Sequence, residues 1–402
     1  MKINLAVCGK FHYHNYVLYL DQANLLGRFY YSHRFSTDAA ALGISREHAV
    51  NLWVKQYAVE AHDRLTRGWL VRELAPWYGD LWQRGVLRHW AKSDILHLLL
   101  HGTGRSLVRR AKSEGTCVIV EAVNQHPVGM MAILREEHER LGLKPITKLP
   151  TIHERLMEEL AASDFLLSPS RIVRDSFVQR GYDHSRTATL AYGVDLHRFR
   201  PLSTEDGWPR NKPFRVICVA QISPRKGHLY LLEAWKKLKL PNSELLLIGG
   251  VSLEIAPILR RYTGIRHIAK VPNSELREYY ARSSVFVLPS LEDGFAVVCA
   301  EAMACGLPVI TTVNNGAADI ITDQKDGFIV PIRSPDAIAE HLELLYRNDE
   351  LKQEMSAAAL VKARTELSWQ RYAAQLRKFY YSVFESKVHL GSSEATDAAT
   401  VI

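Results

Sequence analysis

The sequence predicts an α/β protein with two doubly wound parallel-sheet domains. Three observations carry that prediction. Between residues 215 and 332 short apolar runs alternate with helical segments, the pattern of parallel strands joined by right-handed crossovers. The stretch Val285–Val313 is one complete unit of it, an apolar strand, a Gly-containing loop, an apolar helix and a second apolar strand. A chain of 402 residues is also long for one domain, and Leu202–Pro213, with Ser, Thr, Asp, Gly and two Pro, reads as a linker. The expected layout is a first domain over 1–200, a linker over 201–213, a second domain over 214–367, a helix over 368–386 and a frayed tail over 387–402.

Composition narrows the function classes. Lys and Arg number 51 against 43 Asp and Glu, a formal charge of +8 that suits anionic partners. The basic residues are dispersed with no recognition motif, so no nucleic acid is expected. No run of 18 uncharged apolar residues occurs, and Met1–Gly9 reads as a first strand rather than a signal peptide. The five cysteines lie in apolar segments, as reduced core residues of a cytoplasmic protein do.

Taken in order, residues 2–8 read as a strand and Gly9, Lys10, Phe11, His12, Tyr13, His14 and Asn15 as a loop before a helix at Tyr16–Leu26. Loops after the first strand face the ligand crevice in such sheets, so Gly9, Lys10, His12 and His14 are acceptor-side candidates; plain surface histidines are the alternative. Residues 33–93 carry Trp53, Trp69, Trp77, Trp82 and Trp90 among arginines, and read as helices over the sheet. A peripheral contact with the inner membrane face is one reading of that pattern, and helix packing is the other. Strands at Ile95–Leu100 and Val118–Val120 follow. The second leads to the polar cluster Glu121–Pro127, in which His126 is the catalytic candidate by position; a histidine before Pro in a plain turn is the alternative. A helical, charged stretch to Leu160, a strand at Phe165–Leu167, a helix at 171–180 and a strand at Thr187–Leu190 complete the first sheet.

The second domain carries the sharper signals. Glu301 is a lone carboxylate in the apolar helix 296–305, which is costly unless hydrogen-bonded. A ribose, with two hydroxyls, would satisfy it; a backbone group or an arginine is the alternative. Asp293 lies eight residues earlier, in the loop at the N-terminus of that helix, where exposed N–H groups favour phosphate. Gln221-Ile222-Ser223-Pro224-Arg225-Lys226-Gly227 follows the domain's first strand and sets Arg225 and Lys226 beside backbone donors, as a diphosphate requires. Asn315 and Gly316 form a third turn at the same edge, either a donor to sugar or phosphate or a plain Asn-Gly turn.

These residues resemble family 4 of the retaining glycosyltransferases, the glycosyl transferases group 1, which have the GT-B fold. The resemblance is carried by Pro289-Ser290-Leu291-Glu292-Asp293-Gly294-Phe295-Ala296, then Glu301-Ala302-Met303-Ala304-Cys305-Gly306-Leu307-Pro308-Val309. It extends over about residues 160–385. It implies that Glu301 holds ribose, Asp293 contacts the donor sugar, Gly294, Phe295 and Ala296 offer backbone N–H groups, and Lys226 binds the diphosphate. Three departures stand out: Asp293 takes the place of a longer Glu, with the adjacent Glu292 as a partial substitute; Gln221 takes the place of the family's diphosphate arginine, leaving Arg225 to supply that charge; and the family's histidine falls near Val123, with His126 three residues on. The implied reaction is metal-free, retaining transfer of a sugar from a nucleoside diphosphate to a hydroxyl of a carbohydrate or lipid-linked acceptor. No cofactor is expected, and no Asp-x-Asp pair occurs. A sugar-nucleotide epimerase of the same architecture and a non-catalytic nucleotide- or glycan-binding protein are the alternatives.

Overall fold

The computed structural model describes residues 1–66, 74–147, 152–202 and 213–398. Two all-parallel sheets form its two lobes. The first has seven strands, β1 (Ile3–Val7), β2 (Leu26–Tyr31), β3 (Ala49–Asn51), β4 (Ile95–Leu99), β5 (Cys117–Glu121), β6 (Phe165–Ser168) and β7 (Thr187–Thr189), in spatial order β3-β2-β1-β4-β5-β6-β7. The second has six, β8 (Phe214–Val219), β9 (Ser243–Ile248), β10 (Ile265–Ile268), β11 (Val285–Leu288), β12 (Val309–Thr312) and β13 (Gly327–Val330), in order β10-β9-β8-β11-β12-β13. β1, β4, β5 and β11 are buried along their whole length, because helices cover both faces of a parallel sheet.

Both sheets reverse their winding direction beside their first strand. Such a switch point opens a crevice at the carboxyl ends of the two flanking strands. In the second sheet those strands are β8 and β11. Their following loops are Ala220–Gly227 and Pro289–Ala296, so the topology alone brings the two motifs together.

The expected helix at Tyr16–Leu26 starts earlier, at Tyr13, and ends at Gln22. Leu26–Tyr31 then forms β2, and Ala49–Asn51 forms β3. These two strands were not expected: the sequence reading assigned no element to residues 27–32 and read 33–93 as helices alone. Helices do occupy Trp53–Thr66 and Ala75–Arg88. Trp82 is buried, whereas Trp53 and Trp77 are exposed; Trp69 lies outside the described residues. Most of the expected linker, 203–212, also lies outside them.

The last helix, Trp369–Ala398, runs past residue 386 and packs on the first lobe. Its buried stripe of Trp369, Tyr372, Leu376, Tyr380 and Val383 follows the helical period. Burying each such side chain contributes roughly 1.5–3 kcal/mol, enough for this helix to tie the lobes together. Among the described residues no helix is long and apolar enough to cross a membrane.

Candidate active site

The two loops at the second switch point meet as two opposite-charge pairs. Lys226 Nζ forms an ion pair with Asp293 Oδ2. Arg225 Nη1 lies 2.9 Å from Glu292 Oε2. Asp293 and Glu292 are buried, and a buried carboxylate is stable only when paired. An ammonium has three donors, so the pairing with Asp293 leaves Lys226 two for another anion.

Gly227 is a requirement of this geometry. Its φ is +66°, and a Cβ there would lie 1.9 Å from the Pro289 carbonyl oxygen. Any larger residue would push the two loops apart. A short 3-10 turn over Pro224–Lys226 precedes it, and the helix proper begins at His228.

The turn 294–296 presents backbone donors. Asp293 N–H donates to the Asn314 carbonyl, but the amides of Gly294, Phe295 and Ala296 meet no acceptor among the described residues. They stand at the N-terminus of the helix Val297–Ala304, where the dipole favours anions. Gly294 also lies tight against the first lobe: a Cβ there would lie 1.9 Å from the Val123 carbonyl oxygen. Ser170 Oγ of the first lobe donates to the Gly294 carbonyl at 2.7 Å.

Glu301 is partly exposed on that helix. The Tyr280 hydroxyl donates to its Oε2 at 3.0 Å, and no ion pair with an arginine engages it among the described residues. Burial pushes its carboxyl up to about 7, while Tyr280 and Arg198 pull it down. A group in that range gains from further hydrogen-bond donors, and two ribose hydroxyls are such donors.

Other expected residues are placed differently. Gln221 is exposed, and Arg225, the stand-in for the missing arginine, is neutralised by Glu292. Glu292 also accepts from the Gln125 backbone N–H at 3.4 Å, so it bridges the lobes rather than reaching beyond Asp293. Asn315 is consumed internally: its Oδ1 accepts from Ala317 N–H and its Nδ2 donates to Thr311 Oγ1. The Gly316 amide donates to the Asp293 carbonyl. This turn supports Asp293 and leaves little to offer a phosphate.

On the first lobe, His126 caps the helix Pro127–Arg140, its Nδ1 accepting from Val128 N–H at 3.3 Å. Burial lowers its pKa to about 4, with Arg180 and His153 adding to the shift, so it is neutral at pH 7. His14 packs edge-on against Phe29 and Tyr31, and burial lowers its pKa to about 4 as well. Lys10 is exposed, and Gly9 has a φ of +156°.

His12 turns inward onto a group that the sequence reading left without a role. Glu121, at the end of β5, is fully buried. Its Oε1 lies 2.7 Å from His12 Nε2 and accepts from the Tyr192 hydroxyl at 2.7 Å. Its Oε2 lies 3.2 Å from His97 Nε2. His97 Nδ1 meets the Tyr380 hydroxyl of the last helix at 2.6 Å. Tyr192 in turn packs edge-on against Phe295 of the donor turn, ring centroids 5.3 Å apart. The cluster thus ties both crossings between the lobes to the turn 294–296. A single His in the apolar run Ile95–Leu100 and the Glu closing β5 were its only sequence signals.

Two parallel-sheet lobes facing across a crevice, with a last helix returning to the first, define a GT-B fold. Residues 203–361 match the family model described as "Glycosyl transferases group 1". A D-inositol 3-phosphate glycosyltransferase of Nocardioides is 27% identical over 283 residues, 63% of this chain and 61% of the relative. A GDP-mannose-dependent alpha-(1-6)-phosphatidylinositol monomannoside mannosyltransferase of Mycobacterium tuberculosis is 26% identical, over 68% of this chain and 72% of the relative. The chain spans between 53% and 61% of the length of the first three curated relatives it matches. Among solved structures, sucrose-phosphate synthase of Thermosynechococcus elongatus superposes with a TM-score of 0.71 at 18% identity, over 96% of this chain and all of that one. HepE of Anabaena, in complex with UDP, superposes with a TM-score of 0.65 at 14% identity, over 95% and 100%. These likenesses concern the fold.

Proposed function

We propose that the protein transfers a sugar from a nucleoside diphosphate to an acceptor hydroxyl, with retention and without a metal. The observation that carries this reading is the grouping of Lys226, Asp293 and three amides without acceptors at one switch point, with the incompletely satisfied Glu301 farther along the same helix. The diphosphate occupies the amides and Lys226, the sugar hydroxyls meet Asp293, and the ribose hydroxyls meet Glu301.

The anomeric C–O bond to the diphosphate breaks as the acceptor oxygen bonds to the same carbon. The acceptor's proton passes to the departing diphosphate on the same face. Negative charge grows on that diphosphate, and preorganised donors that cost no reorganisation stabilise it most. His126 is neutral at pH 7 but spends Nδ1 on its cap, so it contributes to acceptor positioning rather than to proton transfer.

Release of free nucleoside diphosphate that requires both a donor and an acceptor tests the reaction. It is expected to persist in millimolar EDTA, because cations and amides supply the charge. Activity lost to EDTA and restored by Mg²⁺ or Mn²⁺ would overturn the metal-free part.

A further inference from the structure

The first lobe holds a partly open cavity of about 160 Å³ where the carboxyl ends of β4 and β5 face the crevice. Its wall is mainly apolar, with Ala122, Pro127, Met130, Leu156 and Phe177. Besides His101 and Asn124, that wall carries Gln125 Nε2 and His153 Nδ1, both buried with no hydrogen-bond partner among the described residues. Gln125 is 8% exposed and also lines the open crevice between the lobes. Leaving a buried amide unpaired costs about 1–3 kcal/mol, so an unpartnered carboxamide at a cavity mouth calls for a ligand.

The cavity's position says which ligand. Val123, the Gln125 neighbour on the same loop, touches Gly294 of the turn assigned to the donor. A molecule seated here is therefore next to the reacting centre but on the lobe opposite the nucleotide. Its size says how much of the ligand enters. An apolar protein cavity of about 150 Å³ accommodates one benzene, so a single ring fills this one.

We propose that this cavity is the subsite for a ring-sized apolar group on the acceptor, with Gln125 hydrogen-bonding the oxygen that joins the ring to the rest of the acceptor. The acceptor class is then an aryl-bearing polyol or glycoside. This deepens the glycosyl-transfer reading and rests on it.

Phenyl β-glucopyranoside and methyl β-glucopyranoside isolate the cavity, since they differ only in the group that would enter it. Titration calorimetry on the full chain is expected to show the phenyl compound binding at least tenfold tighter. Met130→Trp, which fills the cavity from a partly exposed wall position, is expected to abolish that preference. Gln125→Leu is expected to weaken the phenyl compound about five- to tenfold, the range of one net hydrogen bond. Nucleoside-diphosphate binding, measured in parallel, reports folding of each variant and is expected to be unchanged. Equal binding of the two glucosides by the wild type overturns the proposal, as does a preference that survives both substitutions. Wild-type protein that prefers the phenyl compound yet binds no nucleoside diphosphate would instead sink the transfer reading and leave the cavity assignment standing.

Discussion

Lys226→Ala is expected to lower kcat about 10²–10³-fold, with a much smaller rise in the donor KM. The reasoning starts from charge. In the ground state the bridging oxygen is shared between sugar and phosphate, and in the transition state its charge passes to the diphosphate. Removing one preorganised donor at such a site typically costs a factor of about 10²–10³. Interactions that strengthen only in the transition state appear in kcat rather than KM. The ion pair with Asp293 adds a second consequence. Without Lys226, Asp293 is a buried carboxylate with no counter-ion, so the donor-free variant also loses stability. Lys226→Ala combined with Asp293→Asn is expected to recover that stability but not turnover. Unchanged kcat in Lys226→Ala, or a change confined to KM, would remove Lys226 from the chemistry.

The largest effect on stability is expected at Glu121, which lies on the first lobe and in neither signature loop. Glu121→Ala removes the carboxylate and leaves His12, His97 and the Tyr192 hydroxyl facing a void. Breaking a buried ionic cluster from one side costs about 3–5 kcal/mol. For a lobe of this size that is roughly 6–20 °C in Tm. The pH dependence carries a sign. Burial alone would raise the Glu121 pKa, but His12 and His97 outweigh it and hold the carboxyl well below its ordinary value of 4.5. A carboxyl lowered on folding adds stability above its unfolded pKa and loses it as pH falls below. Wild-type stability should therefore fall below about pH 4.5 more steeply than that of Glu121→Gln, as denaturant titrations at successive pH values would read. Equal slopes, or a Tm shift of less than about 2 °C in Glu121→Ala, would mean that the cluster is incidental.

Legibility differed sharply between the lobes. The grouping of residues at the second lobe's switch point was readable because its parts are sequential: Asp293 through Glu301 lie on one loop and one helix, and Lys226 closes the loop after the domain's first strand. The doubly wound order then fixes their meeting without further information. β2 was missed because only Leu26 fell within an expected element, the end of the helix, and Gly27 lies tight against Asn4 Oδ1 of β1, a contact invisible locally. The Glu121 cluster joins residues from 12 to 380, and no spacing rule links them. Gln125 stands one residue before the histidine that position favoured, and only the folded geometry leaves its amide without a partner among the described residues. Glu292 looked like a substitute for the short Asp293, but its partners lie on both lobes.

The ribose contact at Glu301 is the claim on which the donor pose depends. It is tested by pairing a side-chain change with a ligand change. The tightest binder among UDP, GDP and ADP is compared with its 2′,3′-dideoxy form, on wild type and on Glu301→Ala. Hydrogen bonds to a charged group contribute about 1.5–3 kcal/mol. Wild type is therefore expected to bind the dideoxy form about 10–100-fold more weakly, and Glu301→Ala to distinguish the two forms by less than about threefold. The same loss in both proteins would show that the ribose hydroxyls do not meet Glu301, and the donor pose would fall with it.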